Sequence, residues 1–408
     1  MNTAKTCVVV VPCSGIGKPF GTVSREAAYE LCEELRPGGT RLVALAKLVL
    51  GDPEARELLA RHPAVTIDGC KQMCACKMVQ QSGGTVAQEV SVLDVFRRHK
   101  DLKPAGIAEL NEAGLKLARV LAGEVAESLD NGDRKTGFQP VREDSASRLS
   151  ANETTGLKPV GHDRQDAYPP LFERKVGIVA CSCEELAEGT VARLAALKVL
   201  NELRSRETVT ICLPLFLAGG ADDRAFARVH PTITVDGCAR RCAARGTEMY
   251  SSKPAASLVV NELLDERGME RPEGRRRLNA AGEKAVEVTA GRLAAMVDEV
   301  LGKKKGWVLD TGEPADAPGE EEREVACSCG SGVAVTKLVI NGQTVEWVAL
   351  PLIFRHFRVK GLGQDEEAAR ELFETVKIYN SVPPEAEAGY RHAIMLEYAA
   401  YCRKEDLS

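Results

Sequence analysis

An ungapped internal repeat limits what this chain can fold into. Residues 13–125 align with residues 181–293 at a constant offset of 168 positions. Two copies of one sequence pattern predict two copies of one structural unit, and the residues that both copies share indicate what that unit requires. The shared pairs include Cys13 with Cys181, Gly21 with Gly189, Thr22 with Thr190, Arg25 with Arg193, His62 with His230, Asp68 with Asp236, Gly69 with Gly237, Cys70 with Cys238, and Cys74 with Cys242.

Strand-like and helix-like patterns alternate in both copies. In the first copy, β-rich runs at 6–11, 40–45 and 64–67 are separated by helical patterns such as 23–35, and the second copy repeats this order. Alternation of this kind predicts right-handed crossovers and a parallel sheet. The predicted fold class is therefore α/β, with two tandem doubly wound parallel-sheet domains and a small α+β C-terminal domain.

Polar stretches that contain Gly and Pro and have little apolar periodicity separate these units. The C-terminal module begins with a Cys-Ser-Cys motif, and "KLVINGQTVEWV" predicts a hairpin around an Asn341-Gly342 turn, followed by two helices. We expect a first α/β domain at 1–130, a linker at 131–172, a second α/β domain at 173–303, an acidic linker at 304–324 and the C-terminal module at 325–408.

The loop after the first strand, in "VVVVPCSGIGKPFGT", contains a Gly-Lys pair that invites comparison with a phosphate-binding loop. A Walker-type loop needs Ser or Thr directly after the lysine, but Pro19 follows Lys18 here. The second copy reads "VACSCEELAEGT" and has no Gly-Lys pair, whereas the cysteine is present in both copies. The repeat therefore favours thiol chemistry over phosphate binding at this loop.

Charge and composition exclude two classes of partner. The formal net charge of -5 gives no basic surface for nucleic acid, and no apolar stretch is long enough to cross a membrane. We expect a cytoplasmic protein whose 14 cysteines remain reduced. In a reducing compartment, clustered thiols indicate metal binding or redox chemistry rather than a disulfide framework.

Several cysteines directly follow predicted strands. Because the carboxyl ends of parallel strands converge at one edge of a sheet, thiols that are distant in sequence should share a pocket there. Cys70 and Cys74 are four residues apart, which places both on one face of a helical turn, and a helix N-terminus favours the thiolate form. The cysteines at strand ends are Cys13, Cys70, Cys181, Cys212 and Cys238.

The order Cys-Ser, strand, Cys-Leu and Asp-Gly-Cys-x-x-x-Cys resembles the DGC-motif family of small prokaryotic α/β modules. The resemblance implies that four cysteines chelate a metal ion, zinc being favoured. The second copy matches all four positions, at Cys181, Cys212, Cys238 and Cys242, and adds Cys183. The first copy matches at Cys13, Cys70 and Cys74 but has Ala44 at the remaining position, and Cys76 is a candidate substitute.

Three functions remain open at this point. The first is a metal-binding protein with a thiolate site in each repeat, and four thiolates suit zinc or an iron–sulfur cluster equally well. The second is an enzyme or carrier in which a reactive thiol at Cys13 or Cys181 handles sulfur or electrons. The third is a metal-stapled scaffold that docks a protein partner through the C-terminal module. Cys327 and Cys329 of that module are candidates for a redox pair or for further metal ligands.

Several shared polar residues have alternative roles. Asp68 and Asp236 either support a neighbouring ligand or cap a helix. His62 and His230 each precede a proline, which favours a turn over a metal-ligand role. Arg25 and its partner Arg193 either bind an anionic substrate or form a surface ion pair.

Overall fold

Two four-stranded parallel sheets, one from each repeat, organise the fold. In each sheet the second strand along the chain lies at one edge, followed by the first, the third and the fourth, so the two sheets share one topology. A separate antiparallel pair, β9 and β10, lies in the C-terminal module. The computed structural model describes residues 7–13, 15–134, 175–302, 335–340, 343–359, 366–380 and 382–405.

The first repeat alternates strands with covering helices, as its sequence predicts. Helix α1 continues into a π-helical segment, Glu30–Leu35, which completes the predicted helical stretch. The elements are β1 (Val8–Pro12), α1 (Pro19–Tyr29), β2 (Thr40–Leu42), α2 (Leu45–Val49), α3 (Pro53–Arg61), β3 (Ala64–Asp68), α4 (Cys74–Gln81), β4 (Val86–Ser91), α5 (Val92–Arg98) and α6 (Glu112–Arg134).

The second repeat follows the same plan, with the segment after its second strand broken into three short helices. Its first helix also ends in a π-helical segment, Val199–Leu203. The elements are β5 (Val176–Ala180), α7 (Ala187–Lys198), β6 (Thr208–Thr210), α8 (Leu215–Ala218), α9 (Ala221–Arg224), α10 (Phe226–Val229), β7 (Thr232–Asp236), α11 (Cys242–Tyr250), β8 (Ala256–Val259), α12 (Val260–Glu266) and α13 (Ala280–Val300).

The central strands explain why the sheets are parallel and internal. Every residue of β1, β3, β5 and β7 is buried. Strands that are covered on both faces are typical of parallel sheets, because the crossover helices lie on both sides. This arrangement confirms the predicted α/β fold class. It also brings the carboxyl ends of β1 and β3, and of β5 and β7, side by side.

The two repeats share one hydrophobic core, and the first repeat has a second core of its own. One face of the first sheet, including Val9 and Val11 of β1, belongs to the same buried cluster as Val176 and Ile178 of β5. The opposite face of the first sheet packs against α1 and α6 in a second cluster that includes Val10 and Leu121. Separation of the repeats would therefore expose apolar side chains of both sheets.

The C-terminal module packs around the fully buried side chain of Trp347. Ala225 and Val229 of the second repeat belong to the same apolar cluster, which joins the module to that repeat. Among the described residues, the chain has no helix that is both long and apolar enough for a membrane span. The elements are β9 (Val335–Ile340), β10 (Gln343–Val348), α14 (Leu350–Val359), α15 (Glu366–Tyr379) and α16 (Glu387–Glu405).

The two strands of the predicted hairpin are therefore present, while its Asn341-Gly342 turn lies outside the described residues. Most of the predicted linker segments, at 131–172 and 304–324, also lie outside them.

Candidate functional site

The loop after the first strand of each repeat holds a buried thiol against backbone N–H groups. Cys13 directly follows β1, and the N–H of Gly69 donates to its sulfur at 3.2 Å. Cys181 directly follows β5 and accepts from the N–H of Gly237 at 3.3 Å. Burial and then the charge of Asp68 raise the pKa of Cys13 to about 12, while the N–H groups oppose this shift. A thiol with this pKa is protonated at neutral pH unless a bound cation stabilises the thiolate.

The Asp-Gly-Cys turn fixes the start of the next helix. Asp68 accepts hydrogen bonds from the N–H groups of Ala75 at 2.8 Å and Cys76 at 3.1 Å. Asp236 does the same for Ala243 at 2.7 Å and Ala244 at 3.1 Å. These bonds satisfy N–H groups of the first turn that have no partner within the helix, which is a capping role. Burial raises the pKa of each carboxyl to about 6, although the N–H donors lower it.

The glycine of the same motif is required by a close approach of backbone to backbone. A methyl group on Gly69 would lie 2.8 Å from the carbonyl carbon and oxygen of Phe20, at the start of α1. A methyl group on Gly237 would lie 2.8 Å from the carbonyl carbon of Glu188, at the start of α7. Any side chain at these two positions would push the Asp-Gly-Cys turn away from the helix that follows the thiol loop.

A strained residue precedes the second cysteine of the motif in both repeats. Met73 has a φ of 52° and Arg241 a φ of 54°, which is the left-handed region that non-glycine residues rarely adopt. Each is followed at once by the first residue of a helix, Cys74 or Cys242. Strain that recurs at equivalent positions is typical of sites where backbone geometry places a functional side chain.

In the first repeat, three shared cysteines form the N-terminal thiol cluster (Cys13, Cys70 and Cys74). Burial raises the pKa of Cys74 well above its usual value, and the next largest causes are its neighbours Cys13, Cys212 and Cys70. Cys212 thus lies beside this cluster although it belongs to the other repeat. A methyl group on Gly15 would lie 3.8 Å from the sulfur of Cys13 and 4.0 Å from that of Cys212.

In the second repeat, we name the equivalent cysteines (Cys181, Cys238 and Cys242) the C-terminal thiol cluster. Cys183 lies beside this cluster, because it contributes to the raised pKa of Cys181 and its own pKa is raised in part by Cys242. Cys238 contributes in the same way to the raised pKa of Cys242. Desolvation is the largest cause of the raised pKa at Cys181, Cys183 and Cys242. The sequence predicts these neighbours from the repeat and the strand ends.

Two thiols differ from the sequence-based expectation. The resemblance groups Cys212 with Cys181, Cys238 and Cys242, whereas the structure places its sulfur next to the loop of Cys13. Cys76, the suggested substitute in the first repeat, instead donates its thiol hydrogen to Glu89 Oε2 at 3.2 Å. It is two residues beyond Cys74 on α4, so it projects from another side of the helix.

The remaining candidates are His230 and two cysteines of the C-terminal module. The ring of His230 packs against Phe226 at 5.2 Å between centroids, and burial lowers its pKa to about 4. Cys327 and Cys329 lie outside the described residues. Within the described part of the chain, no three His, Cys, Asp or Glu side chains are grouped closely enough to hold a metal ion. The thiols of each cluster are neighbours, but their sulfurs do not form a complete coordination shell.

A buried charge cluster between the repeats was not expected from the sequence. Arg25 is 2 % exposed and its Nε lies 3.7 Å from a carboxylate oxygen of Glu184, which is 1 % exposed. Arg193, the partner of Arg25 in the second repeat, is also buried, and burial together with the charge of Arg25 lowers its pKa to about 9. The two arginines were expected at the surface or at an anion site; the structure pairs Arg25 with an internal carboxylate.

Comparison with known protein families agrees with this arrangement. The sequence profile of the DGC domain matches residues 9–113 and residues 177–286, which together are more than half of the chain. The chain belongs to the DGC domain family. The two matches start at equivalent positions of the two repeats, so the protein carries two tandem DGC domains followed by a C-terminal remainder. No curated protein and no solved structure shows significant similarity to the chain.

Proposed function

We propose that the protein binds two metal ions through cysteine thiolates, one ion at each thiol cluster, and that zinc is the favoured ion. The observation that carries this proposal is that in both repeats the glycine N–H of the Asp-Gly-Cys turn donates to the thiol after the first strand. The two cysteines of that turn are also neighbours in both repeats. Sulfur ligands of this kind select zinc and other thiophilic ions over hard cations such as magnesium.

The donor set fits zinc in chemistry. In each cluster three thiols come from a rigid framework of strand end, capped turn and helix start, and backbone N–H groups at Cys13 and Cys181 stabilise negative charge on sulfur. Completion of a coordination shell requires the sulfurs to turn toward one point, because they are neighbours without yet forming such a shell. A bound zinc ion would supply the positive charge that lets these buried thiols lose their protons.

The raised thiol pKa values argue against a reactive free thiol. A catalytic cysteine needs a lowered pKa so that the thiolate is present at neutral pH. Burial instead raises the pKa of Cys13 to about 12 and that of Cys181 well above its usual range. An enzyme that uses either thiol as a free nucleophile is therefore the weaker proposal.

An iron–sulfur cluster in place of zinc, and a scaffold that docks a protein partner, are the alternative proposals. Four thiolates hold such a cluster as well as they hold zinc. A partner that docks on the C-terminal module, and a cytoplasmic location in which the thiols remain reduced, are further proposals that the composition supports.

The test is metal analysis of the full-length chain purified without oxygen. We expect about two zinc ions per chain and no visible absorption, whereas an iron–sulfur cluster would colour the protein. Replacement of Cys74 by Ser and of Cys242 by Ser should each remove one ion, while replacement of Cys402 by Ser, a cysteine of α16, should remove none. A wild-type chain that binds no thiophilic ion at micromolar concentration would contradict the proposal.

A further inference from the structure

The segments after the second strands lie between the repeats and reach the other repeat as well as their own, and we call them the exchanged segments. Helix α2, which follows β2, packs against α11 of the other repeat and against α4 of its own. Helix α8, which follows β6, packs against α4 of the other repeat and against α11 of its own. Lys77 of α4 donates from Nζ to the carbonyl oxygen of Ala218 at 3.2 Å, and Tyr250 of α11 donates to the carbonyl oxygen of Val49 at 3.3 Å. Because α4 and α11 begin with the cysteines Cys74 and Cys242, each exchanged segment lies near the thiol cluster of the other repeat.

Four positions at these contacts are related by the repeat. Position 44 corresponds to position 212, and position 15 corresponds to position 183. The N–H of Ala44 donates to Glu185 Oε1 at 2.8 Å, two residues beyond Cys183. At the other end, a methyl group on Gly15 would lie 4.0 Å from the sulfur of Cys212. Both contacts therefore join position 44 or 212 of one repeat to the thiol loop of the other.

The residue types at these contacts are complementary. Beside the N-terminal thiol cluster, the loop position is Gly15 and the exchanged position is Cys212. Beside the C-terminal thiol cluster, the loop position is Cys183 and the exchanged position is Ala44. Each contact thus pairs one thiol with one small residue. The thiol is at the exchanged position beside the N-terminal cluster and at the loop position beside the C-terminal cluster. In this way each cluster of three has a fourth thiol, although the two repeats differ at both positions.

We propose that Cys212 of the second repeat supplies the fourth ligand of the N-terminal metal site, whereas Cys183 supplies the fourth ligand of the C-terminal site from within its own repeat. This inference rests on the proposed metal binding. It assigns Cys212 to the repeat in which its sulfur lies, instead of the repeat in which its sequence position lies. The N-terminal site is then shared between the repeats, and the first repeat alone cannot complete it.

A test that needs no metal uses dibromobimane, a short reagent that links two neighbouring thiols, on the reduced wild-type chain in excess chelator. After proteolysis and mass spectrometry, we expect the peptide that contains Cys212 to be linked to a peptide that contains Cys13, Cys70 or Cys74. A chain unfolded in urea before labelling serves as the control for random linkage. Linkage of Cys212 mainly to Cys181, Cys238 or Cys242 in the folded chain would overturn the inference.

A second test assigns the ligand to its site with cobalt as a spectroscopic substitute for zinc. In a C238S/C242S chain, only the N-terminal site remains, and C212S should weaken its cobalt affinity by more than the roughly 10–100-fold that loss of an outer-shell partner costs. In a C70S/C74S chain, only the C-terminal site remains, and C212S should leave its cobalt affinity and thiolate absorption unchanged. Circular dichroism of each chain checks that it is folded. The reverse pattern would overturn the assignment.

A transplant of the thiol provides the sharpest control. In the C70S/C74S chain, C183G should abolish tight cobalt binding at the C-terminal site. The added substitution A44C should restore the cobalt affinity to within about tenfold of its value before C183G, because position 44 lies beside the C-terminal site as Cys212 lies beside the N-terminal site. Failure of A44C to restore binding contradicts the exchanged geometry. If the wild-type chain binds no metal, the proposed function fails and the ligand assignment fails with it; a correct dibromobimane link would then show a shared thiol pocket only.

Discussion

Replacement of Glu184 by Gln tests whether a buried carboxylate holds the two repeats together. The side chain of Glu184 is 0 % exposed, and its oxygen lies 3.7 Å from Nε of Arg25, whose side chain is 2 % exposed. Arg193 lies close enough for the charge of Arg25 to lower its pKa, while the charge of Glu184 raises it. The carboxylate of Glu184 therefore lies near two buried positive charges that come from equivalent positions of the two repeats.

The structure gives the magnitude of the effect. At a separation near 4 Å and an effective dielectric constant near 20, a unit charge pair interacts by about 4 kcal/mol. Removal of one partner of a buried pair costs about 3–5 kcal/mol because the other charge is left buried and uncompensated. Since Gln has nearly the same shape as Glu, E184Q adds no cavity. We therefore expect E184Q to lower the free energy of unfolding by about 3–4 kcal/mol.

The matched control is E185Q, one residue further along the same loop. Glu185 pairs with Lys47, but its side chain is 22 % exposed and that of Lys47 is 17 % exposed. A pair that water reaches contributes about 0–1 kcal/mol, and the Gln carbonyl can still accept from the N–H of Ala44. E185Q should therefore lower the free energy of unfolding by no more than about 1 kcal/mol.

The assay is urea unfolding followed by far-ultraviolet circular dichroism, with excess chelator so that metal binding does not contribute. The double variant R25M/E184Q should lose less stability than the sum of the two single variants, because it removes a positive charge together with its counter-charge. If E184Q is as stable as E185Q, or if the two substitutions at 25 and 184 are simply additive, the reasoning from buried charge is refuted.

Three further predictions concern single residues. G237A should lower the free energy of unfolding by about 2 kcal/mol, because its methyl group would press on the backbone of Glu188. G291A is the control on α13, where a methyl group would meet no atom within 4 Å, and it should raise the free energy of unfolding by about 0.5–1 kcal/mol. Equal urea midpoints of the two variants would contradict this. Burial lowers the pKa of His230 to about 4. Between pH 6.5 and pH 4 the unfolded chain therefore binds a proton that the folded chain does not, and the free energy of unfolding decreases as the pH is lowered. H230N should reduce that loss between pH 7 and pH 4 by about 3 kcal/mol, and parallel stability profiles of variant and wild type would count against it. Iodoacetamide at pH 7 should alkylate Cys13 of the metal-free chain at least about 100-fold more slowly than a free thiol, because its pKa is raised to about 12; faster labelling would favour a reactive thiol.

The architecture could be predicted because it depends on local patterns that occur twice. Apolar runs that end at a cysteine and alternate with helical patterns predict a parallel sheet in each repeat, and the structure confirms two such sheets. The second strand was predicted at 40–45 but ends at Leu42. Its apolar residues continue into α2, which begins at Leu45, and apolar composition alone does not separate a strand from a buried helix.

The thiols within one repeat could be predicted, but the exchanged thiol could not. Cys13, Cys70 and Cys74 converge because they follow adjacent parallel strands, which is a property of one sheet. The place of Cys212 depends on how two sheets pack against each other, and an alignment of equivalent positions does not contain that information. The signal in the sequence was a pair of differences between the copies. Gly15 is aligned with Cys183, and Ala44 is aligned with Cys212.

The buried arginines were missed for the same reason. Arg25 and Arg193 are shared by both copies, and a charged residue on a helix usually lies at the surface. Here each of these helices faces the other repeat, and Arg25 and Arg193 are both buried. A shared charged position inside a repeat can therefore indicate an interface between the copies as well as a ligand site.

The contacts of Arg25 connect this interface to the two thiol loops. Its guanidinium donates to the carbonyl oxygen of Gly15 at 3.2 Å, in the loop that carries Cys13, and it pairs with Glu184, which directly follows Cys183. One side chain thus contacts both loops, and the segments at positions 44 and 212 cross between the repeats at the same place. Arg25 therefore links the loop that follows β1 to the loop that follows β5. Two tandem copies that share a core, a charge cluster and exchanged segments therefore pack as one unit, and the aligned positions 15/183 and 44/212 at which they meet carry different residues.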